Sequence, residues 1–150
     1  MKIELKKSKR EDAPFIYELV EKTMSDYIIA LWGSWDREQL VMQTVGFAED
    51  QNGCLIYVDA AKAGFLLVNR LDTHIELAQL FLLPKFQGAG VGTSLMKQLV
   101  ADAQTDGKPI KLRGLSPNPA WKFYQELGFT VVKKTKERFF MAYHPDSLGK

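Results

Sequence analysis

The residues best placed for chemistry lie at 87–93, Gln-Gly-Ala-Gly-Val-Gly-Thr. This glycine-dense stretch follows an apolar run (Leu77, Leu80, Phe81, Leu82, Leu83) that Pro84 stops, because proline cannot donate to a sheet ladder. Val91, Leu95, Leu99 and Ala103 then recur at helical spacing. A helix start carries unpartnered N–H groups and a partial positive charge, and glycines let an anion approach them closely. A phosphate or pyrophosphate is therefore the natural ligand. Neither familiar nucleotide loop fits. A P-loop needs Gly-Lys-Ser/Thr, and no lysine follows these glycines before Lys97. A dinucleotide fingerprint counted from Gly88 and Gly90 needs glycine where Thr93 stands.

Two residues have the chemistry of proton transfer. Glu76 sits in an otherwise apolar strand, where a carboxylate needs a reason: it is either a base or an exposed residue at the strand start. Tyr124 is either a proton-donating phenol or a core tyrosine beside Trp121 and Leu127. Other candidates fall away. His74 and His144 lie far apart with no ligand spacing around them, so no metal site is expected. Ser116, in Gly-Leu-Ser-Pro-Asn, lacks the second glycine of a hydrolase elbow. Cys54 has no base beside it in sequence and reads as packing. Lys133, Lys134, Lys136 and Arg138, interrupted by Glu137, read as a solvated strand edge.

The elements that must position these groups follow from periodicity. Residues 2–7 alternate as a half-exposed strand. Ser8 and Glu11 have capping-box spacing for a helix with Phe15, Ile16, Leu19 and Val20 on its apolar face. Residues 27–32 fit either a continuation of that helix or a break before Gly33 and Ser34. Asp36 and Gln39 repeat the capping spacing ahead of a second helix with Leu40, Val41, Thr44, Val45 and Phe47. Residues 54–59 and 64–69 predict a hairpin, and the strand from Ile75 extends it into a meander. Asp106-Gly107 closes the central helix, 109–115 form a short strand, and Asn118-Pro119 give an N-cap and a first-turn proline. Gly128 ends that helix, and 130–136 and 137–143 predict a terminal strand pair. The order is β-α-α-β-β-β-α-β-α-β-β, a mixed α/β arrangement.

A chain of 150 residues predicts one domain over 1–150. A net charge of +2 gives no strong pull toward nucleic acid or membrane, and no run approaches a membrane span. The apolar core of a signal peptide is missing from MKIELKKSK. One cysteine excludes an internal disulfide and suits a reducing, cytoplasmic setting.

Gln87-x-x-Gly90-x-Gly92 directly after an apolar strand resembles the acyl-coenzyme A loop of the GCN5-related N-acetyltransferase (GNAT) superfamily. The stretch Asn-Pro-Ala-Trp-Lys-Phe-Tyr-Gln-Glu-Leu-Gly-Phe at 118–129 resembles that superfamily's second motif, and the element order matches as well. The resemblance implies a mixed, mostly antiparallel sheet with two splayed parallel strands, flanked by about four helices, and acetyl-CoA as cofactor. It implies cofactor contacts at Phe81, Leu82, Leu83, Gln87, Gly88, Ala89, Gly90, Val91, Gly92, Thr93, Asn118 and Tyr124. In that picture pantetheine amides satisfy the backbone of two parted strands near 76–83 and 109–115. The backbone near Phe81 and Leu82 polarises the thioester carbonyl. Tyr124 becomes the acid for the departing thiolate and Glu76 the base for the incoming ammonium, directly or through water.

The same likeness puts the acceptor amine beside the first two helices and the terminal strands. Tyr27, Trp32, Trp35 and Asp36 are candidates there, through aromatic faces and a counter-charge, with stapling of the helix junction as the alternative for the tryptophans. The expected activity is direct transfer of acetyl to a primary amine of a small molecule or peptide. The rival expectation is an acyl-CoA-binding sensor of the same fold; a plain nucleotide-binding module is a third. A homodimer fits the family's habit.

Overall fold

The computed structural model describes residues 1–145. The chain divides into two compact units: Met1–Val68 with Gln79–Val91, and Asn69–Ala78 with the chain from Gly92 on. Seven strands follow the order β1-β2-β3-β4-β5-β7-β6. Strand β4 (Ile75–Leu82) contributes its first half to the second unit and its last half to the first.

In the first unit, β1 (Ile3–Lys7), β2 (Gly53–Val58) and β3 (Ala61–Arg70) pair antiparallel in sequence order. The β2–β3 turn is tighter than the sequence suggests. It places Asp59 and Ala60 at φ 49° and 70°, the two left-handed positions of a two-residue hairpin. Asp59 offsets that strain by exchanging bonds with Lys2: its N–H donates to Lys2 O and its Oδ1 accepts from Lys2 N, both at 2.8 Å.

Helix α1 spans Ala13–Trp32, so residues 27–32 continue it, and it stops at Gly33, whose φ of 78° lets its N–H reach Ile29 O at 2.7 Å. Helix α2 is Arg37–Glu49, with Asp36 as its N-cap accepting from Gln39 N at 3.1 Å, as the spacing predicted. Ile16, Leu19 and Val20 of α1 and Leu40, Thr44 and Ala48 of α2 are buried. Ser8 does not cap the first helix. It is buried and donates to Ala48 O at 2.9 Å, while Lys9 N is held by Asp12 Oδ2 at 2.8 Å across a 3-10 turn, Arg10–Asp12. The extra turn moves the capping role one residue on at each end.

In the second unit, residues 75–77 of β4 pair in parallel with 110–112 of β5 (Ile110–Leu115), and the ladder stops there. Strand β5 continues antiparallel to β7 (Arg138–Tyr143), and β7 to the edge strand β6 (Thr130–Lys134). The terminal strands are shorter than expected because Thr135 closes a turn on Arg138, leaving Glu137 inside it. Helix α3 is Val91–Asp106 and ends at Gly107, φ 65°. The α4 helix is Ala120–Glu126. Pro119 rather than Asn118 occupies its N-cap position, but Asn118 Oδ1 still accepts from Ala120 N at 2.9 Å. Side chains of Ile75, Leu77, Met96, Leu99, Ile110, Leu112, Phe129, Phe139 and Met141 form this unit's core. No helix among the described residues is long and apolar enough to cross a membrane.

Candidate active site

In the first unit, β4 ends at Leu82 and a 3-10 turn, Pro84–Phe86, leads to the glycine stretch. The turn bonds here use the N–H groups of Phe86 (to Leu83 O, 2.9 Å) and Gln87 (to Pro84 O, 3.1 Å). Those of Gly88, Ala89 and Gly90 take no part in them. Gly88 and Gly90 hold φ values of 77° and 89°, which a side chain would strain, and a Cβ at either would meet nothing within 4 Å. Residues 87–90 are exposed, Val91 is buried as the first residue of α3, and Gly92 and Thr93 are half-buried. No acidic side chain occurs from Pro84 to Leu95. Open room, alternating left-handed glycines and absent negative charge together fit an anionic group.

Gln87 has a job that the motif alone did not reveal. Its Nε2 donates to Leu82 O at 2.9 Å, locking the loop to the end of β4. Phe81 is buried, Leu82 and Leu83 half-buried, and Leu83 N donates to Ala63 O at 2.8 Å. Gly64 is required at this point: a Cβ there would lie 2.1 Å from Phe81 O. The backbone carbonyl of Phe81 is therefore packed tightly against β3.

In the second unit, Glu76 is half-buried and its Oε1 accepts from Asn69 Nδ2 at 2.8 Å. Sequence reasoning missed Asn69, because only the β3–β4 hairpin brings these two residues together. Tyr124 is half-buried on α4, edge-on to Phe123 (5.2 Å between centroids) and Phe129 (5.7 Å). Phe129 in turn lies 5.6 Å from Tyr143, whose hydroxyl accepts from Gln104 Nε2. Burial pushes the Tyr124 phenol up to about 12. It is thus a firmly protonated O–H donor at neutral pH.

Among the four acceptor-side candidates, Trp35 and Asp36 do structural work. Trp35 Nε1 donates to Tyr17 OH at 2.7 Å with the rings edge-on, and the Asp36 carboxylate caps α2. Tyr27 is half-buried on α1, and Trp32 is 50% exposed at its end. Burial raises the Cys54 thiol, with Lys7 opposing more weakly, so Cys54 is a poor nucleophile.

A mixed sheet with a short parallel step, followed by an open glycine turn into a helix, defines an α/β protein with room for an anionic group at that turn. Comparison with known proteins narrows this. Residues 42–131 match the acetyltransferase (GNAT) domain model, and the chain belongs to that family. The GCN5-like protein acetyltransferase Rv2170 of Mycobacterium tuberculosis is 36% identical over 76 residues, covering 47% of this chain and 37% of that protein. The chain thus matches well under half the length of this curated relative. The fold resembles an acetyltransferase from Thermus thermophilus (TM-score 0.74, 21% identity, 96% of this chain and 97% of that one). It also resembles the PaiA N-acetyltransferase from Thermoplasma acidophilum in complex with coenzyme A (TM-score 0.71, 19% identity, 96% and 99%). Acyl-CoA-dependent acetyl transfer is the general chemistry of the family, with acetyl-CoA as donor.

Proposed function

We propose that this chain is an N-acetyltransferase that acetylates a primary amine by direct transfer from acetyl-CoA. The observation that carries the reading is the turn at 87–92, exposed from Gln87 to Gly90. Its two left-handed glycines leave open room beside the first amides of α3, and no acidic residue occurs from Pro84 to Leu95. In this reading the amides of 88–92 hold the cofactor's pyrophosphate, Thr93 and Asn118 add polar contacts, and the pantetheine arm runs along the end of β4 at Phe81, Leu82 and Leu83, using the backbone groups that β3 and Gln87 leave untaken. Gln87 fixes the turn to Leu82 and so sets the spacing between these two sets of contacts. Bound acetyl-CoA supplies an acetyl group activated as a thioester.

The chain's own groups manage the protons. Glu76, with one carboxylate oxygen steadied by Asn69, takes a proton from the acceptor ammonium through the other oxygen, directly or through water. Tyr124 holds its proton against ionisation and donates a hydrogen bond to the leaving sulfur, whose negative charge it stabilises as the C–S bond breaks; the second proton lost by the amine nitrogen passes through solvent to that thiolate, so amide and coenzyme A thiol are the products. No nucleophile is required of the protein, in keeping with the raised Cys54 thiol.

The test is calorimetric titration with acetyl-CoA followed by a screen of amines for thiol release. Binding together with release on at least one class of amine supports the reading. Tight binding with silence across all amines replaces it with a sensor, and failure of acetyl-CoA to bind removes both.

A further inference from the structure

Two rows of cross-strand neighbours run over one face of the second unit. One row is Glu76, Lys111, Ala142 and Thr130; the other is Arg113, Phe140 and Lys133. The alternate positions Ile75, Leu77, Ile110, Leu112 and Met141 are buried and the rows lie on the opposite face, where Thr130 is exposed and the small Ala142 is covered. Lys111, Arg113 and Lys133 are exposed, and Phe140 between the last two is half-buried with Lys133 Nζ 5.5 Å from its ring centroid. Glu76 is the one carboxylate in these rows. It neighbours Lys111 in the ladder, yet its bonded partner is Asn69, and none of the three cations has an ion-pair partner among the described residues. Like charges gathered on one sheet face work against folding. Here they stand unneutralised beside a carboxylate that an amide already orients.

We propose that the acceptor is an amine carrying its own anionic group, a carboxylate or a phosphate, laid across this face. The ammonium meets Glu76 and the anion meets Lys111 and Arg113, with Lys133 flanking. Strands lie about 4.8 Å apart and residues of one face recur about every 6.7 Å along a strand, so amine and anion are roughly 5–10 Å apart. That is the span of a short zwitterion or of the first residues of an acidic peptide. Arg113 offers a planar fork suited to either oxyanion, and the Phe140 ring gives the connecting carbons an apolar floor. The inference rests on Glu76 as the amine-side residue of the proposed reaction.

Coenzyme A-loaded protein is titrated calorimetrically with two matched pairs: C-terminally amidated glycyl-aspartate against C-terminally amidated glycyl-asparagine, and O-phosphoethanolamine against ethanolamine. The anionic member of each pair is expected to bind about tenfold tighter or better, as befits a charge-assisted bond. That preference shrinks with salt and disappears in K111Q/R113Q. Because both residues are exposed and their like charges oppose folding, the double variant is expected to match or exceed the wild-type melting temperature and to keep its coenzyme A affinity. Equal binding within the pairs overturns the proposal. So do a preference that survives K111Q/R113Q, no binding of any probe, or binding of the polyanion heparin in their place. Preference in binding with no acetyl transfer sinks the enzymatic reading and leaves this one standing; efficient transfer to the neutral members alone does the reverse.

Discussion

The turn at 87–92 and the frame around Tyr124 prepare their chemistry in opposite ways. The turn works with backbone: exposed residues at 87–90, glycines 88 and 90 at φ 77° and 89°, and empty space where their side chains would be. The Tyr124 frame works with side chains: Phe123 and Phe129 at its ring, then Tyr143 and Gln104 behind Phe129. A backbone site tolerates exchange of neighbouring side chains but not of φ. A side-chain site tolerates neither loss of the functional group nor loss of its packing, and the two therefore break differently.

The largest effect is expected at the side-chain site. Tyr124→Phe keeps the ring and its packing but removes the O–H, and should lower kcat about 100-fold or more with acetyl-CoA affinity nearly unchanged. Steady-state kinetics beside calorimetry checks this, and wild-type turnover in the variant removes Tyr124 from the mechanism. Next comes Glu76→Gln, expected to lower kcat/KM about 10- to 100-fold near neutral pH. Its deficit should narrow as pH rises, because solvent then deprotonates the amine unaided. A pH-rate series in which the deficit stays constant would leave Glu76 without a role as base.

The same contrast decides what could be read from sequence. The turn was legible because backbone conformation is written in residue type: Gly88 and Gly90 have few reasons to exist other than positive φ. Asp36 and Gly107 were legible as caps for the same reason. Ser8 misled, since its hydroxyl is claimed by Ala48, forty residues on in the chain, and no local spacing records that. Gln87 matched its motif, yet its bond to Leu82 O, within the stretch, was missed because motif spacing does not say where a flexible amide folds. Asn69 was invisible as Glu76's partner because it depends on hairpin register. Likewise the second motif located Tyr124, but its shifted ionisation comes from burial that only the assembled frame supplies. Local backbone demands survive in sequence; long-range side-chain pairings do not.

At the backbone site, Gly90→Val forces a branched side chain to φ 89°. Open space around it means the penalty is conformational, about 1–2 kcal/mol, not steric. Acetyl-CoA should bind about tenfold more weakly, whereas Ala89→Ser, at a neighbouring position of ordinary φ, should bind as wild type. Equal binding by Gly90→Val and wild type would mean that these amides do not hold the cofactor.

The smallest functional effect is a titration that leaves activity at neutral pH untouched. A tyrosine ionises near 10 when exposed and, at position 124, near 12 when folded. The folded state therefore keeps a proton that the unfolded state releases, and stability is complete below pH 10. It is lost as pH climbs from 10 through 12, by up to about 3 kcal/mol. Ultraviolet titration of tyrosinate should show a late-ionising phenol in the wild type that is absent in Tyr124→Phe, and the variant should lose less stability over that window. If every tyrosine ionised together near 10, the phenol would be open to solvent. The side-chain frame would then be no more preorganised than the exposed turn, and the contrast between the two regions would fail.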